Sequence, residues 1–401
     1  MRSISKKDRL MAYAGCAALV FAACCSCSGN VASGSSGSGS SVVPPFSLSQ
    51  INNSFSAMSA LKPLAAKGKG SIAVILPDTQ TAGHFAKFDA PDLKKSFQLA
   101  GLEAGQYTVQ TSLGGDMLRA AKSAITNGAS VLIVDTRYSG FDVSIESYAK
   151  AHGVPVIDYD WLTTSGTRTY YVGFDSLKIG VLLGQGLISC ASSWGVKHPQ
   201  VIVMKGDPLD PNVAQYVQGY DAVLARQFSH GWTDVSNPAG TWDPLIAQGE
   251  FQQQYSEHEN INAALTPNDT NAATIISYLQ STGVKPRTFP TTGLDAGIGG
   301  LRNILAGYQC GTVYKPIYLE AQAAAALAMY VRAGVKPPTS LLNWHINDPQ
   351  TSTSVASVLL TPQWVTTENM NSTVIADRFV PAAQLCTHEY VSACAAAGIR
   401  S

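Results

Sequence analysis

The sequence predicts an α/β fold built from two doubly wound parallel sheets. From residue 70 onward, short runs rich in valine and isoleucine alternate with amphipathic segments. Near-continuous apolar strands that alternate with helices are typical of parallel sheets covered on both faces. The strand–helix units are too many for one ordinary sheet, so we expect two sheets of similar size. A chain of 401 residues has room for them, since a domain takes roughly 100–200 residues.

Six runs are predicted to be strands because they are apolar, rich in β-branched residues and bounded by Gly, Pro or Asp. In chain order they are Ser71–Leu76, Val131–Val134, Val154–Ile157, Tyr170–Val172, Val201–Met204 and Gly311–Tyr314. Seven segments carry an apolar face at helical spacing and are predicted to be helices. They are Leu93–Ala104, Met117–Asn127, Ser144–His152, Ser176–Ser189, Val213–Gln227, Asn271–Ser281 and Leu319–Ala333. This order gives the β–α–β repeats of a doubly wound fold.

The composition excludes two broad classes of protein. Apolar residues make up 45% of the chain and charged residues only 13%, so the chain is not intrinsically disordered. The 27 basic residues balance the 27 acidic ones, and no lysine- or arginine-rich run follows residue 9. We therefore expect no nucleic-acid partner.

The first residues read as an export signal. Residues 1–23 combine a basic start with a short apolar stretch that begins at Leu10, which predicts a secretory signal peptide. The stretch Val20–Cys24 resembles a bacterial lipobox, which predicts lipidation of Cys24 and a membrane anchor; an ordinary cleaved signal with incidental cysteines is the alternative. Residues 24–69 are predicted to be a flexible Gly/Ser-rich spacer. No other run is long enough for a transmembrane helix.

Four cysteines lie beyond this leader. Cys386 and Cys394 are near neighbours in the chain, and an exported protein can keep a disulfide between them. Cys190 and Cys310 are either paired with each other or buried as free thiols. None of these four cysteines has a CxxC or other metal-like spacing, so we predict no metal site.

Polar and aromatic residues recur directly after the predicted strands. Asp158–Trp161 follow one strand, and Lys205–Asn212 follow another. Ligands of open parallel sheets bind beyond the carboxyl ends of the strands. Carboxylates and amides hydrogen-bond to hydroxyls, and aromatic faces cover the C–H faces of a sugar ring. The alternative is that these Asp and Asn residues are only helix N-caps and turn residues.

A family resemblance rests on six segments in one order and spacing. They are Gly153–Asp160, Tyr171–Asp175, Gly206–Asn212, Pro267–Asp269, Thr292–Ala296 and Thr312–Pro316. Over roughly residues 70–340 the chain resembles the sugar-binding proteins of bacterial ABC importers, above all the D-xylose-binding type. The resemblance implies a type I periplasmic binding protein, in which two α/β lobes joined by a three-segment hinge close on one monosaccharide.

The resemblance also implies the domain boundaries. The N-terminal lobe would comprise residues 70–174 and 313–340, and the C-terminal lobe residues 175–312 and 341–380. Residues 381–401 would form a C-terminal tail. The chain would cross between the lobes near Phe174–Lys178, near Thr312–Lys315 and after the helix that ends near Gly334.

Ten ligand-binding residues are carried over from the family by position. They are His84, Phe85, Asp160, Trp161, Asp210, Asn212, Trp242, Asn268, Asp295 and Lys315. Lys315 has an alternative role as a hinge residue paired with a carboxylate. The family often has an arginine before the aromatic in the loop of His84–Phe85, and another arginine where Trp161 stands. These departures imply a more apolar pocket and a hydrogen-bonding pattern that differs from one built for xylose.

The function implied is that of an extracytoplasmic solute-binding lipoprotein. A monomer would capture a pentose or related monosaccharide and deliver it to permease subunits that work with a cytoplasmic ATPase, with no cofactor and no catalytic residue. Three alternatives stay open: a receptor that signals to a membrane kinase, a binding protein for a nucleoside, and an enzyme. Against an enzyme, Gly297–Gly300 lacks the last glycine of a dinucleotide-binding motif. A repressor with such lobes needs an N-terminal helix-turn-helix, and the signal peptide takes its place.

Overall fold

A computed structural model describes residues 45–77, 84–112, 115–136 and 139–400. The predicted signal peptide, Cys24 and the spacer up to residue 44 lie outside the described residues. Within the described part, no helix is both long and apolar enough to span a bilayer.

The chain contains twelve strands and twelve α-helices in the described part. The strands are β1 (Ser71–Pro77), β2 (Tyr107–Ser112), β3 (Ala129–Val134), β4 (Val156–Tyr159), β5 (Tyr170–Phe174), β6 (Gln200–Val203), β7 (Thr233–Ser236), β8 (Ala263–Leu265), β9 (Thr312–Tyr314), β10 (Trp344–Asn347), β11 (Ser354–Leu360) and β12 (Gln363–Val365). The helices are α1 (Lys62–Lys67), α2 (Ala90–Leu99), α3 (Gly115–Thr126), α4 (Ser139–Ala151), α5 (Ser176–Ser193), α6 (Pro211–Phe228), α7 (Pro244–Glu257), α8 (Asp269–Ser281), α9 (Ile298–Leu305), α10 (Ile317–Arg332), α11 (Ala382–Leu385) and α12 (Val391–Ala396). A π-helical turn, Phe85–Asp89, leads into α2.

The first sheet has seven strands in the order β10-β11-β5-β4-β3-β1-β2. All neighbours run parallel except β10, which pairs antiparallel with β11. Successive side chains of β1 enter opposite cores: Ile72 and Val74 share one with α2 and α10, and Ala73 and Ile75 share another with α3 and α4. Helices therefore cover both faces, and the predicted doubly wound α/β architecture is confirmed.

The second sheet is smaller than predicted. Its regular part has only three parallel strands, in the order β7-β6-β8. Beyond β8 the pairing continues through single bridges, Ala264–Thr291 and Leu294–Val313, to the antiparallel pair β9–β12. The expectation of two sheets of similar size is wrong because, beyond β8, the second sheet continues only through isolated single-residue bridges and not through regular strands. Helices α5 and α6 cover one face, and α7 and α8 cover the other.

The chain crosses between the lobes at three places, one of which differs from the prediction. It passes from β5 into α5 and from β9 into α10, as expected. The third crossing is at residues 361–362, between β11 and β12, and not directly after α10. Residues 344–360 belong to the first sheet, where β11 pairs with β5. Their assignment to the C-terminal lobe is wrong because these two strands extend the N-terminal sheet.

Residues 45–69 are folded, whereas the prediction made them part of a flexible spacer. Phe46, Phe55, Met58, Leu61 and Leu64 are buried in the same core as α2 and α10. Two 3₁₀ turns, Leu48–Gln50 and Ser56–Leu61, lead into α1. The spacer prediction overlooked these apolar residues, which have enough area to fix the segment on the lobe.

The C-terminal tail is also folded. Disulfides join Cys386 to Cys394, the pairing that the sequence favours, and Cys190 to Cys310, one of the two states left open. Leu385, Cys394 and Ile399 share a core with side chains of α9. Residues 381–400 are therefore part of the globular body and not an appended tail.

Candidate functional site

A cleft lies where the carboxyl ends of the strands of the two sheets meet. It encloses about 400 Å³ of empty space, including the part that opens to solvent. Nine of the ten predicted ligand-binding residues line it, and Asn212 does not. The lining residues are His84, Phe85, Asp160, Trp161, Asp210, Tyr216, Trp242, Asn268, Leu294, Asp295 and Lys315. The structure thus brings these residues together, while their contact with a ligand stays a prediction.

The first lobe contributes an aromatic and acidic wall. His84 and Phe85 come from the π-helical turn before α2, and their ring centroids lie 4.0 Å apart. Asp160 and Trp161 follow β4 directly. Asp160 has a φ of 58°, in the left-handed region that Asp tolerates better than most residues. This sharp turn places the carboxylate and the indole side by side on the cleft wall.

A buried chain of hydrogen bonds holds His84. Its Nδ1 atom lies 2.8 Å from Oδ2 of Asp89, and the hydroxyl of Tyr159 donates to Oδ1 of Asp89 at 2.6 Å. Burial alone would raise the pKa of Asp89, but the charge and hydrogen bond of His84 and the bond from Tyr159 outweigh it, so that this pKa is lowered. Asp89 is therefore an ionised acceptor for both neighbours.

Helix N-termini of the second lobe supply the opposite wall. Asp210 caps α6, accepting the N–H of Asn212 at 2.8 Å, and Asn268 caps α8, accepting the N–H of Asn271 at 2.9 Å. Trp242 precedes the cap of α7 and donates from Nε1 to Oδ2 of Asp210 at 3.2 Å. The cap interpretation of these Asp and Asn residues is thus correct, and the same residues also line the cleft.

The turn that carries Leu294 and Asp295 is fixed from beneath by Asp269. Its carboxylate accepts hydrogen bonds from the N–H of Gly297 at 2.8 Å, from Gln309 at 2.7 Å and from Thr312 at 3.1 Å. Burial raises the pKa of Asp269 to about 8, and the charge of Asp295 adds to this. Asp295 itself has a φ of 89°. This support holds the Asp295 side chain, which is 34% exposed, at the cleft.

Lys315 connects both walls from the hinge. Its ammonium donates to Oδ1 of Asp160 at 3.2 Å and lies 3.8 Å from Oδ1 of Asp295. Burial alone would lower the pKa of Lys315, but Asp160 and Asp295 raise it well above its usual value. Lys315 is thus a charged hinge residue that pairs with carboxylates and also lines the cleft.

Asn212 behaves differently from the prediction. Its Nδ2 donates to the main-chain oxygen of Asp160 at 3.1 Å, and the residue is buried behind the cleft wall. The bond joins α6 of the second lobe to the end of β4 in the first. Asn212 therefore links the two lobes directly in this structure and does not face the cavity.

Two residues that line the cleft were not predicted from the sequence. Tyr216 lies on α6 and is buried, and Leu294 precedes Asp295. Both look like ordinary core positions, because an aromatic on an amphipathic helix and a leucine beside a strand are what burial alone requires. No signal in the sequence separates them from the core.

The cleft can recognise an uncharged polyhydroxyl ring. Carboxylates accept hydrogen bonds from hydroxyls, an ammonium and an amide donate them, and four large aromatic side chains offer flat faces. In the described segments, no group of three or more His, Cys, Asp or Glu residues is placed to hold a metal ion.

Comparison with known proteins gives a family match over most of the body. Residues 72–336 match the model of the periplasmic binding protein domain. The D-xylose-binding periplasmic protein of Escherichia coli (strain K12) is 30% identical over 278 residues, which cover 68% of this chain and 80% of the relative. The multiple sugar-binding periplasmic receptor ChvE of Rhizobium radiobacter is 27% identical over 345 residues, which cover 80% of this chain and 94% of the relative.

Solved structures share the fold. A carbohydrate transporter solute binding protein from Chloroflexus aurantiacus, determined in complex with D-glucose, superposes with a TM-score of 0.68 at 22% identity. The match covers 78% of this chain and 97% of that one. At this identity the likeness is evidence for the fold alone.

Proposed function

The chain belongs to the family of periplasmic binding protein domains, and from that premise we propose that it captures one monosaccharide for an ABC importer. One observation carries the proposal: nine predicted ligand residues from separate segments line a single cleft. Two relatives are named as sugar-binding periplasmic proteins, and one neighbour of the same fold holds D-glucose. The family consists of solute-binding proteins, so the proposal contains no catalytic step.

The chemistry of the cleft favours a single sugar ring. Its lining combines carboxylates, an amide, an ammonium and large aromatic side chains. Asp160 and Asp295 would accept from hydroxyls, and Lys315 would donate to ring or hydroxyl oxygens. Trp242 and Phe85 would cover the apolar faces of the ring.

Binding would work through closure of the lobes. The lining residues come from both lobes, so a ligand in the cleft contacts both at once and favours the closed arrangement. Hinge closure around a ligand is a known class of motion. The closed protein would then dock on the permease subunits, which work with a cytoplasmic ATPase.

The protein would act outside the cytoplasm, as its relatives named periplasmic do. We propose that residues 1–23 are removed and that Cys24 is lipidated, so that a monomer is tethered to the outer face of the membrane. Radiolabelled palmitate fed to cells should label the wild-type protein and not a Cys24→Ala variant. Equal labelling of both would contradict the anchor, and it would leave the sugar site untouched.

The main test is thermal unfolding with a panel of pentoses, hexoses, polyols and nucleosides. A form that begins at Val43, two residues before the described part of the chain, is sufficient. A ligand that binds only the folded state raises stability with the logarithm of its excess over Kd, by about 2.7 kcal/mol at a hundredfold excess. A shift with one monosaccharide would support the proposal. A shift in unfolding temperature with a nucleoside alone would show that the ligand is a nucleoside and not a sugar.

Two conservative variants test the site itself. Asn268→Asp keeps the side-chain oxygen that caps α8 but removes the amide donor, so it should weaken sugar binding without unfolding the helix. Asp295→Asn keeps the shape and removes a charged acceptor; each loss should be about tenfold or more. Asp116→Asn, at an exposed position of α3, is the matched control. Unchanged affinity in both site variants would refute the assignment.

A role as a sensing receptor is the second candidate, and one observation favours it: the relative from Rhizobium radiobacter is named as a receptor. The two roles differ in cells. Loss of the gene would abolish uptake of labelled sugar if the protein feeds an importer. It would leave uptake intact but abolish a sugar-induced response if the protein signals to a membrane kinase.

A further inference from the structure

His84 offers the cleft one nitrogen whose hydrogen-bonding character changes with protonation. Its Nδ1 faces Oδ2 of Asp89 at 2.8 Å. The other oxygen of Asp89 accepts the Tyr159 hydroxyl, so both oxygens of this buried carboxylate act as acceptors. Nδ1 must therefore carry a proton in both charge states of the ring. Only Nε2, on the far side of the ring from Asp89, is free to gain or lose one.

We propose that His84 is a specificity-determining residue that donates a hydrogen bond from Nε2 to the ligand only while its ring is an imidazolium. In the neutral ring the same atom becomes an acceptor, and a ligand oxygen placed to accept from it faces a lone pair instead. The inference rests on the proposed function and adds pH dependence to sugar binding at the same cleft.

The groups that face this pair come from several elements. Asp89 lies on the same π-helical turn as His84, and Tyr159 ends β4. Lys315 follows β9 and Asp295 precedes α9, both at the cleft. Two further carboxyls complete the surroundings of the pair, Asp160 after β4 and Glu320 on α10. Burial, with the charge of Asp160, raises the pKa of Glu320 well above its usual value.

These neighbours favour the imidazolium form of His84. Burial alone would lower the pKa of His84, but the charge of Asp89 and its hydrogen bond raise it further than burial lowers it. Lys315 opposes this rise and Asp295 supports it. The pKa of His84 is therefore raised above its ordinary value of 6.5.

The sign of the effect follows from linkage. A ligand that accepts from Nε2 binds the imidazolium more tightly, so affinity is highest below the pKa of His84 and falls as pH rises through it. A hydrogen bond from a charged donor is worth about tenfold to a hundredfold in affinity, which sets the expected drop as pH rises from 6.5 through the raised pKa of His84.

The first experiment needs no ligand. Long-range ¹H–¹⁵N spectra follow both ring nitrogens of the seven histidines in the chain, and the His84→Gln variant identifies the signals of His84. We expect Nδ1 to stay protonated throughout, and Nε2 alone to lose its proton with a midpoint above pH 6.5. A neutral ring protonated at Nε2, or a midpoint below 6.5, would overturn the inference.

The second experiment measures binding of D-xylose and D-glucose by calorimetry across that pH range. His84→Arg keeps a charged donor at every pH and should flatten the pH profile of affinity. The control is His152→Gln, which replaces an exposed histidine directly after α4 and should leave the profile unchanged. Wild-type binding that does not vary with pH would refute this inference alone. Absence of binding by every sugar at every pH would refute the proposed function as well.

Discussion

The substitution Gly206→Ala should displace Trp242 from the cleft wall without altering any polar group. Gly206 is buried in the loop between β6 and α6. A Cβ atom added there would lie 2.4 Å from Cη2 and from Cζ2 of Trp242, and 2.8 Å from a methyl group of Val213. Carbon atoms in contact normally lie about 3.5–4.0 Å apart, so the indole must move by about 1 Å.

The magnitude follows from what the indole then loses. Its Nε1 lies 3.2 Å from Oδ2 of Asp210, and a shift of this size stretches the bond beyond a useful length. A hydrogen bond to a charged group contributes about 1.5–3 kcal/mol, so its loss should lower the free energy of unfolding of the unliganded protein by that amount. Sugar affinity should fall because the displaced indole no longer offers its face to the ring. An aromatic face contributes about 0.5–1.5 kcal/mol beyond its buried area, so we expect a loss of about tenfold, which corresponds to about 1.4 kcal/mol.

The assay is calorimetry with D-xylose and D-glucose, together with thermal unfolding of the unliganded protein. Gly249→Ala is the matched control, because it lies on α7 close to Trp242 in the chain and its added Cβ would meet no atom within 4 Å. The control should bind sugar normally and gain up to about 1 kcal/mol of stability. Affinity within twofold of wild type in a folded Gly206→Ala protein would refute the reasoning, since the indole would then not form part of the site.

The remaining predictions concern stability. Serine at both Cys190 and Cys310 opens a loop of 120 residues and should lower the free energy of unfolding by about 5 kcal/mol. The same change at Cys386 and Cys394 opens a loop of only eight residues and should cost about 2.5 kcal/mol. Urea unfolding of the two double variants measures both losses, and a larger loss from the short loop would contradict the loop-entropy account. Burial, with the charge of a neighbouring glutamate, raises the pKa of Asp142 to about 7. Between about pH 4 and 7 the folded state holds this proton and the unfolded state does not, so wild-type stability should fall as pH rises through that window. Asp142→Asn stays neutral and should gain up to about 4 kcal/mol on wild type above pH 7, as urea unfolding at pH 5 and pH 8 would reveal; equal differences at both values would contradict it.

The parts of the fold that the sequence reveals are those buried on both sides. β1 and β3 are apolar at nearly every position and were predicted within a few residues. β2 was missed because half of its residues are exposed, so that an edge strand of Thr and Gln carries no apolar run. α7 was missed for a similar reason, since it buries only Ala247 and Phe251 and is otherwise rich in glutamine.

The positions of the predicted site residues were more predictable than the boundaries of the lobes. The strand ends at which these residues stand are fixed by topology, and ligands of open parallel sheets bind at that edge. What sequence could not give is the direction of individual side chains. Asn212 and Asp210 are two residues apart at one helix N-terminus, yet only Asp210 faces the cleft. That choice depends on how close the end of β4 comes to α6.

The local and the ligand-binding interpretations of the polar strand ends are not rivals, and Asp210 illustrates why. One of its oxygens caps α6, and the other accepts the indole N–H of Trp242. A carboxylate that is already tied to a helix end has little rotamer freedom left to lose when a ligand binds, so less of the binding energy goes into ordering it. Asn268 is held in the same way at α8, with its amide nitrogen left available. The residue types that begin helices are therefore also those that preorganise a polar cleft, which is why no inspection of single positions could separate the two roles.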